Sequence, residues 1–252
     1  MEYKKSFYDS VTSRAIPTAN IIAATLSQFI EVDCVVDVGS GDGAWIANFA
    51  TYFKANKFIA IDLPGNDFKM IKNTSPKIEL QETDFEIDPF PLKEESSLTI
   101  FVEVIEHISF TQSVKVLDNV LRNSTFLIFS GAVSGQGGTN HINEKPFGYW
   151  FALIEQSGFV RLDMLRPILR NTEMKIPHYY KNNICLFYNP TKLAGSDLSV
   201  NWEGLLQIKQ VSPNDLRSIQ LKARQSILRH LPVNFVSKIA QFHNWIFSLK
   251  YN

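Results

Sequence analysis

Short apolar runs alternate with stretches of helical periodicity through the first two thirds of this 252-residue chain. The runs are apolar on both faces and rich in β-branched residues, which is typical of strands in a parallel sheet covered on both sides. The helical stretches between them supply the crossovers that parallel strands need. This alternation predicts a doubly wound α/β domain with a Rossmann-like, mostly parallel sheet. We predict strands at 33–38, 57–61, 78–81, 98–102 and 125–130, and helices between them at 44–53 and 110–121.

The flanking segments predict the rest of the architecture. A helix at 17–30 would cap one edge of the sheet, and a polar, glycine-bearing loop at 134–146 leads to a helix at 147–156. Two further strands, 159–165 and 184–188, would complete a seven-stranded sheet as an antiparallel pair. The predicted organisation is a helical cap at 1–32, an α/β domain at 33–190 and a helical C-terminal extension at 191–252, with helices at 213–231 and 232–250.

The composition fits a globular protein. The chain is 45% hydrophobic and 20% charged with a formal net charge of +0, which argues against a disordered chain and against a general nucleic-acid binder. Cys34 and Cys185 lie in apolar strands, where cysteine usually acts as a small buried hydrophobe. We find no signal-like apolar core near the start and no apolar run of about 20 residues, so the expected location is cytoplasmic.

The first predicted strand leads directly into a glycine-rich turn and then a helix. Gly39, Gly41 and Gly43 allow a tight turn whose backbone N–H groups can approach a ligand closely. Gly39, Gly41 and Ala44 also fit the G-x-G-x-x-A fingerprint of dinucleotide enzymes, and Asp62 lies near the place of their ribose-binding acid. The turn alone therefore predicts a nucleotide-like ligand without deciding between cofactors.

Three features resemble the class I S-adenosylmethionine-dependent methyltransferases. Asp37, two residues before Gly39, gives the acid-x-Gly-x-Gly-x-Gly motif of that superfamily. Asp84 and Phe85 follow the third strand, where the superfamily places an acid and an apolar residue around the adenine. The run 103–108, Glu-Val-Ile-Glu-His-Ile, looks like the E-x-x-E-H segment common among members that act on small molecules. The resemblance implies a methyltransferase fold, S-adenosylmethionine as cofactor and S-adenosylhomocysteine as product.

The same resemblance implies a set of cofactor contacts. Asp62 would accept hydrogen bonds from both ribose hydroxyls, as an acid at a switch point does in related folds. Asp37 would face the amino-acid moiety, and Phe85 and Leu63 would pack on the adenine. The complete set of predicted cofactor-binding residues is Asp37, Gly39, Ser40, Gly41, Gly43, Trp45, Asp62, Leu63, Asp84, Phe85, Glu103 and Val104.

A long loop after the fifth strand carries a closer resemblance. Residues 135–144 read Gly-Gln-Gly-Gly-Thr-Asn-His-Ile-Asn-Glu, and long loops inside compact domains are usually functional. With a later Tyr-Trp pair and Arg-Pro pair, this loop resembles a bacterial group of methyltransferases often associated with surface-polysaccharide clusters. The resemblance implies methyl transfer to an oxygen of a carbohydrate-related acceptor (a sugar hydroxyl, a nucleotide sugar, or a sugar-linked phosphate or phosphoramidate) in surface-glycan or capsule biosynthesis. The implied acceptor-side residues are Tyr149, Trp150, Arg166 and Asn183.

Two histidines are candidate catalytic residues. Methyl transfer from a sulfonium mainly needs alignment, but a neutral hydroxyl acceptor must also lose a proton, and histidine suits that task. His141, in the loop after the fifth strand, is the first candidate base and His107 the second; His141 could instead fix its glycine-rich loop through hydrogen bonds. No close ligand spacing appears around the two histidines and nearby acids, so we predict no metal site.

The C-terminal extension is basic and amphipathic. Between residues 209 and 250, seven lysines and arginines accompany the lone acid Asp215, and apolar residues recur at helical spacing. This pattern predicts helices docked on the body or on a second subunit of a homodimer, or a cationic surface that contacts a membrane or an anionic polymer.

Two other functions fit parts of the sequence. An NAD-dependent nucleotide-sugar enzyme would use the same glycine turn, although Gly43 and the 103–107 segment disfavour it. A non-catalytic binding partner could keep the methyltransferase fold and its pocket without turnover.

Overall fold

A computed structural model describes residues 5–66, 68–74, 78–87, 95–208, 219–232, 235–236 and 238. The strands are β1 (Cys34–Val38), β2 (Lys57–Asp62), β3 (Ile78–Glu82), β4 (Ser96–Val102), β5 (Ser124–Ser130), β6 (Val160–Leu162) and β7 (Cys185–Tyr188). The helices are α1 (Lys5–Leu26), α2 (Ala44–Tyr52), α3 (Lys69–Thr74), α4 (Phe110–Asn123), α5 (Tyr149–Gln156), α6 (Leu165–Arg170), α7 (His178–Asn183), α8 (Pro190–Ala194), α9 (Trp202–Gln207) and α10 (Ile219–Leu228). A 3₁₀ turn, Ile105–His107, follows β4.

The strands form one seven-stranded sheet in the order β3-β2-β1-β4-β5-β7-β6. β1 to β5 pair in parallel, whereas β7 is antiparallel to both β5 and β6. The predicted fold class and the predicted antiparallel pair are therefore confirmed. The chain builds outward from β1 to β3 and then returns to the other edge of β1, so a switch point lies at the carboxyl ends of β1 and β4. Ligands of open α/β sheets bind in this crevice.

Each face of the sheet buries its own apolar core. Val35 of β1 packs into the core beneath α1 and α2, whereas Val36 and Val38 pack into the core beneath α4 and α5. This division follows from the strand geometry, because successive side chains point to opposite faces. Cys34 and Cys185 are both buried and neither is in a disulfide, as predicted.

Several segments differ from the sequence-based prediction, among them the short helices α3, α8 and α9, which were not predicted. The predicted strand 159–165 is only Val160–Leu162, and Leu165 begins α6 instead. A short apolar run does not distinguish a strand from a buried helix, and Pro167 is tolerated there because it lies in the first turn of α6. The first helix begins at Lys5 rather than at residue 17 and continues through Pro17. A short helix, α7, occupies 178–183, where we predicted none.

The first part of the predicted extension packs against the amino-terminal segment. The Glu31 N–H donates to the Ser199 carbonyl at 3.0 Å, and the Asn201 N–H donates to the Phe29 carbonyl at 2.7 Å. Leu205 of α9 is fully buried. Helix α10 lies within the predicted helix 213–231, whereas 209–218 and most of 232–250 lie outside the described residues. Among the described residues, no helix has the length and apolar character needed to cross a bilayer.

Candidate functional site

The glycine turn between β1 and α2 requires glycine for two reasons. Gly39, Gly41 and Gly43 have φ angles of 75°, 59° and 90°, in the left-handed region that side chains disfavour. A Cβ atom on Gly39 would also lie 2.4 Å from a methyl carbon of Val104, and one on Gly43 would lie 2.3 Å from Ile71. The turn is therefore packed tightly between the end of β4 and α3.

Substituting Gly39 tests this packing. Gly39→Ala should lower the free energy of unfolding by about 3 kcal/mol, because backbone strain adds to a collision with the branched Val104 side chain. Gly65→Ala is the matched control, since Gly65 has a similar φ of 81° but no atom within 4 Å of the place that the added methyl group would take; it should cost about 1 kcal/mol. Denaturant unfolding of both variants measures the difference. Equal costs would show that Val104 does not constrain the turn.

Asp62, at the end of β2, holds the glycine turn from the neighbouring strand. Its Oδ2 accepts the Gly41 N–H at 2.6 Å, and its Oδ1 accepts the Leu63 N–H at 2.7 Å. The Asn66 side-chain amide donates to the Gly41 carbonyl and also hydrogen-bonds Asp62. Burial raises the pKa of Asp62, and the two backbone hydrogen bonds oppose that rise. Each carboxylate oxygen has a second lone pair, so Asp62 can accept further hydrogen bonds from a ligand.

Asp37 lies beneath the turn and is almost completely buried. Its Oδ2 accepts the Ile46 N–H at 3.2 Å and so fixes the start of α2. Burial, together with the nearby charges of Asp62 and Asp42 and against the hydrogen bond from the Ile46 N–H, raises the pKa of Asp37 to about 8. The ligand-free protein therefore keeps Asp37 largely protonated at neutral pH, and a cationic ligand group nearby would favour the ionised form.

This elevated pKa predicts a pH dependence of stability. The folded protein retains a proton that the unfolded chain, with an ordinary value of 3.8, releases. The contribution of Asp37 is fully present below about pH 4 and is lost as the pH rises to about 8. Asp37→Asn should therefore raise the unfolding temperature at pH 8 by about 5 °C and change it little at pH 4. Thermal unfolding at both pH values, with the exposed Asp118→Asn as control, measures this; a lower unfolding temperature at pH 8 would contradict it.

The other predicted cofactor residues divide into two groups. Ser40, Leu63 and Val104 lie beside the turn and Asp62, and the buried Ser40 hydroxyl has no hydrogen-bond partner in the described part of the chain. Asp84 and Phe85 follow β3, which is tied to the end of β2 by the Thr83 N–H donating to the Asp62 carbonyl at 2.8 Å. Trp45, in contrast, is buried in the apolar core beneath α2, with its ring centroid 5.7 Å from that of Tyr180. That placement favours a packing role for Trp45.

Glu103 begins a chain of side-chain hydrogen bonds across the site. Its backbone is left-handed at φ 55°, and its carboxylate accepts from the Ser130 hydroxyl at 2.7 Å and from the Gln136 amide at 3.0 Å. The Gln136 carbonyl oxygen accepts in turn from the Asn183 amide at 2.9 Å. The chain therefore joins a predicted cofactor residue to a predicted acceptor residue. Gln136 was not among the predicted site residues, and its only sequence signal is its place in the 135–144 run.

Glu144 organises the loop at 131–146. Its carboxylate accepts the Gly135 N–H at 2.8 Å, the Gly137 N–H at 2.6 Å and His141 Nδ1 at 2.8 Å. This last bond turns the other ring nitrogen of His141, Nε2, towards Glu106, whose Oε1 is 4.0 Å away. The sequence left open whether His141 fixes the loop or acts in catalysis, and this geometry allows both.

His107 packs against His141 with the two rings nearly perpendicular and their centroids 4.9 Å apart. Burial lowers the pKa of His107 to about 3, with a smaller contribution from His141. His107 is therefore neutral at physiological pH and a weak proton acceptor, which disfavours its predicted role as the second candidate base.

Trp150 and Asn183 line a narrow pocket, together with residues from 129–133 and 145–151. The Trp150 indole N–H and the Asn183 side-chain carbonyl oxygen are both buried. Neither has a hydrogen-bond partner among the described residues. One group donates and the other accepts, and the pocket has room for about one water molecule beside them.

Tyr149 and Arg166 are placed differently from these two residues. Tyr149 is half-buried, with its ring 5.1 Å from that of Trp150. Arg166 is fully buried in an ion pair with Asp163 and also donates to the Asn182 carbonyl. This arrangement favours an internal role for Arg166, supporting the chain next to Asn183, over direct contact with an acceptor.

No protein-family model matches the sequence, and no curated protein matches it either. Among solved structures, the N-methyltransferase NodS from Bradyrhizobium japonicum WM9, in complex with S-adenosylhomocysteine, is similar with a TM-score of 0.51 and 17% identity, over 69% of this chain and 86% of that chain.

Two O-methyltransferase structures are similar over part of their length. An O-methyltransferase family protein from Burkholderia thailandensis gives a TM-score of 0.54 at 13% identity, over 73% of this chain and 58% of that chain. The mitomycin 7-O-methyltransferase MmcR gives 0.52 at 14% identity, over 73% of this chain and 56% of that chain. This chain thus spans little more than half the length of these two proteins. Identities this low show the fold alone, which is the Rossmann-like fold of the methyltransferases.

Proposed function

We propose that this protein transfers the methyl group of S-adenosylmethionine to an oxygen of a small, carbohydrate-related acceptor. The observation that carries the proposal is the meeting of the Gly39–Gly43 turn with the Asp62 carboxylate at the switch point of a methyltransferase-like sheet. The buried side chains of Glu106 and His141 lie at the same edge of the sheet, at the carboxyl ends of β4 and β5. A nucleoside site and a polar reaction site are therefore adjacent.

The residues around the turn fit this cofactor. Asp62 can accept the two ribose hydroxyl hydrogens while it holds the Gly41 and Leu63 N–H groups. Leu63 and Phe85 offer apolar surface for an adenine ring, and Asp37 offers negative charge to the cationic amino-acid end. S-adenosylmethionine supplies a methyl group on a sulfonium sulfur, which leaves as a neutral thioether when the acceptor oxygen bonds to the methyl carbon.

The chain's own contribution is alignment and proton removal. Holding two reactants in line can account for most of the rate enhancement of such a displacement. When His141 donates its Nδ1 proton to Glu144, its Nε2 carries a lone pair that can take the proton of a hydroxyl acceptor. The tautomer is assigned from this hydrogen bond.

The choice of acceptor depends on the pocket and on the loop. The unpartnered Trp150 N–H and Asn183 carbonyl oxygen could each bond one hydroxyl group of an acceptor, since a hydroxyl both donates and accepts, provided that the narrow pocket widens on binding. Transfer to oxygen in a surface-glycan pathway rests on the resemblance of residues 135–144, because the similar structures include both N- and O-methyltransferases.

Incubation with isotopically labelled S-adenosylmethionine tests the proposal. Wild-type protein is offered nucleotide sugars, glycosyl phosphates and polysaccharide fragments, and labelled products are identified by mass spectrometry. Transfer to the oxygen of one such class, with equimolar S-adenosylhomocysteine, is the expected result. A parallel titration that gave binding of NAD and none of S-adenosylhomocysteine would favour the nucleotide-sugar enzyme instead.

A further inference from the structure

Three potential metal ligands meet beyond the carboxyl ends of β4 and β5. Ligand atoms of Glu106, His107 and His141 all lie within 4.8 Å of one another. Glu106 and His107 belong to the 3₁₀ turn after β4, and His141 comes from the loop after β5. The Ile142 and Asn143 N–H groups both donate to the Glu106 carbonyl, at 2.9 Å and 3.1 Å, so the loop is fixed against the turn.

Glu106 is the residue that most needs a partner. Its side chain is fully buried, and neither carboxylate oxygen makes a hydrogen bond to any residue that the structure describes. Burial, together with the nearby negative charges of Glu103 and Glu144, raises the pKa of Glu106 well above its usual value. Buried charges in proteins are normally paired or coordinate a metal. In its ionised form this carboxylate would need a cation beside it, and a bound metal ion would supply one.

His141 is oriented as a metal-binding histidine is. Its Nδ1 is hydrogen-bonded to the Glu144 carboxylate at 2.8 Å, and its Nε2 faces Glu106 Oε1 at 4.0 Å. Histidines that bind metals usually donate their other ring N–H to a carboxylate, which fixes both tautomer and ring orientation. The His107 ring is likewise hydrogen-bonded to the backbone of Asn140. Both imidazoles are therefore positioned by neighbours outside the cluster.

The distances lie close to those around one ion. Ligand atoms at tetrahedral angles with bonds of about 2.1 Å are about 3.4 Å apart, so the 4.0 Å between His141 Nε2 and Glu106 Oε1 has to shorten by about 0.6 Å when an ion binds. No ligand-atom separation in the cluster exceeds 4.8 Å. Two imidazoles and one carboxylate are typical of first-row divalent ions such as Mn²⁺, Fe²⁺ or Zn²⁺, whereas Mg²⁺ prefers an all-oxygen set.

We propose that Glu106, His107 and His141 bind a divalent first-row transition-metal ion, with Glu144 as the positioning residue behind His141. The role of the ion rests on the proposed function. With three protein ligands the ion keeps open coordination positions, where it would hold the acceptor oxygen. A hydroxyl held there loses its proton to solvent more readily, and His141 then holds the ion instead of taking that proton. The proposal revises the sequence-based expectation of no metal.

Cobalt(II) provides a test that does not depend on activity. Chelator-treated, tag-free full-length protein is titrated with CoCl₂ and followed by visible absorption and by calorimetry. Wild type should bind one ion, and Glu106→Gln and His141→Gln should each weaken binding by at least about 100-fold, whereas Glu144→Gln should weaken it by about 10-fold to 100-fold. The exposed His230→Gln is the matched control and should bind as wild type does.

Two further measurements distinguish loss of the metal site from misfolding of a variant and from failure of the proposed function. Glu106→Gln removes a buried charge without changing its shape, so the metal-free variant should unfold at a temperature no lower than wild type, which excludes misfolding. No Co²⁺ binding by wild type, or equal binding by Glu106→Gln, would overturn the metal site. Calorimetry with S-adenosylhomocysteine tests the proposed function separately. If S-adenosylhomocysteine did not bind while the variants still changed the affinity for Co²⁺ as expected, the metal site would be supported and the methyltransferase function would not.

Discussion

Replacing Asp62 with alanine should lower the affinity for S-adenosylhomocysteine by about 100-fold or more. The proposed ribose contacts are two hydrogen bonds to a charged acceptor, each contributing about 1.5–3 kcal/mol, and every 1.4 kcal/mol is a factor of ten in affinity. The substitution also releases the Gly41 N–H, which loosens the turn that would support the cofactor. Calorimetric titration of the purified variant measures the loss.

Asn66→Ala separates the two effects of the Asp62 substitution. Asn66 donates to the Gly41 carbonyl and also hydrogen-bonds the Asp62 side chain, so its removal loosens the same turn and its anchor but takes away no proposed ribose contact. We expect its affinity for S-adenosylhomocysteine to fall by less than about 5-fold, the equivalent of one neutral hydrogen bond. If Asp62→Ala bound the ligand as well as wild type, the assigned ribose contact would be wrong.

Replacing His141 with alanine should reduce kcat for methyl transfer by about 1,000-fold while the affinity for S-adenosylhomocysteine stays within about 3-fold of wild type. A positioned general base contributes about 10²–10⁴-fold to a proton-transfer step, and loss of a metal ligand would be at least as damaging. His141 lies beyond β4 and β5 rather than in the glycine turn, so the cofactor site should survive.

His230→Ala is the matched control for His141, because this exposed histidine lies far along the chain in the turn after α10. Wild-type turnover by His141→Ala would remove the residue from the reaction. If the variant also kept the protein's biological role while wild type showed no turnover on any acceptor, the chain would be a non-catalytic binding partner.

The sheet could be predicted because its strands are buried on both faces. β1, β2, β4 and β5 are mostly apolar and almost completely buried, as strands of a parallel sheet covered by helices are. The region after Gly158 was harder to predict from the sequence. Val160–Leu162 and α6 lie in one apolar stretch, and only the tertiary packing decides where the strand ends. Helix α7 is too short to show a helical period.

The residues on the cofactor side of the site could be predicted from the sequence more completely than those on the acceptor side. Glycines at left-handed positions can be predicted because few other residues can occupy them, and Asp62 can be predicted from its place at the end of β2. The partners of Arg166, and the hydrogen-bond chain through Gln136, depend on contacts between distant segments. Likewise, Glu106 and His141 are separated by the whole of α4 and β5, so their 4.0 Å approach has no spacing signature.

The most direct test of the central claim is a crystal structure of the full chain grown with S-adenosylhomocysteine. We expect the ligand in the crevice between β1 and β4, with both ribose hydroxyls within hydrogen-bond distance of the Asp62 carboxylate and the thioether sulfur facing the side of Glu106 and His141. Electron density showing that crevice empty at saturating ligand, or the nucleoside bound elsewhere, would contradict the account.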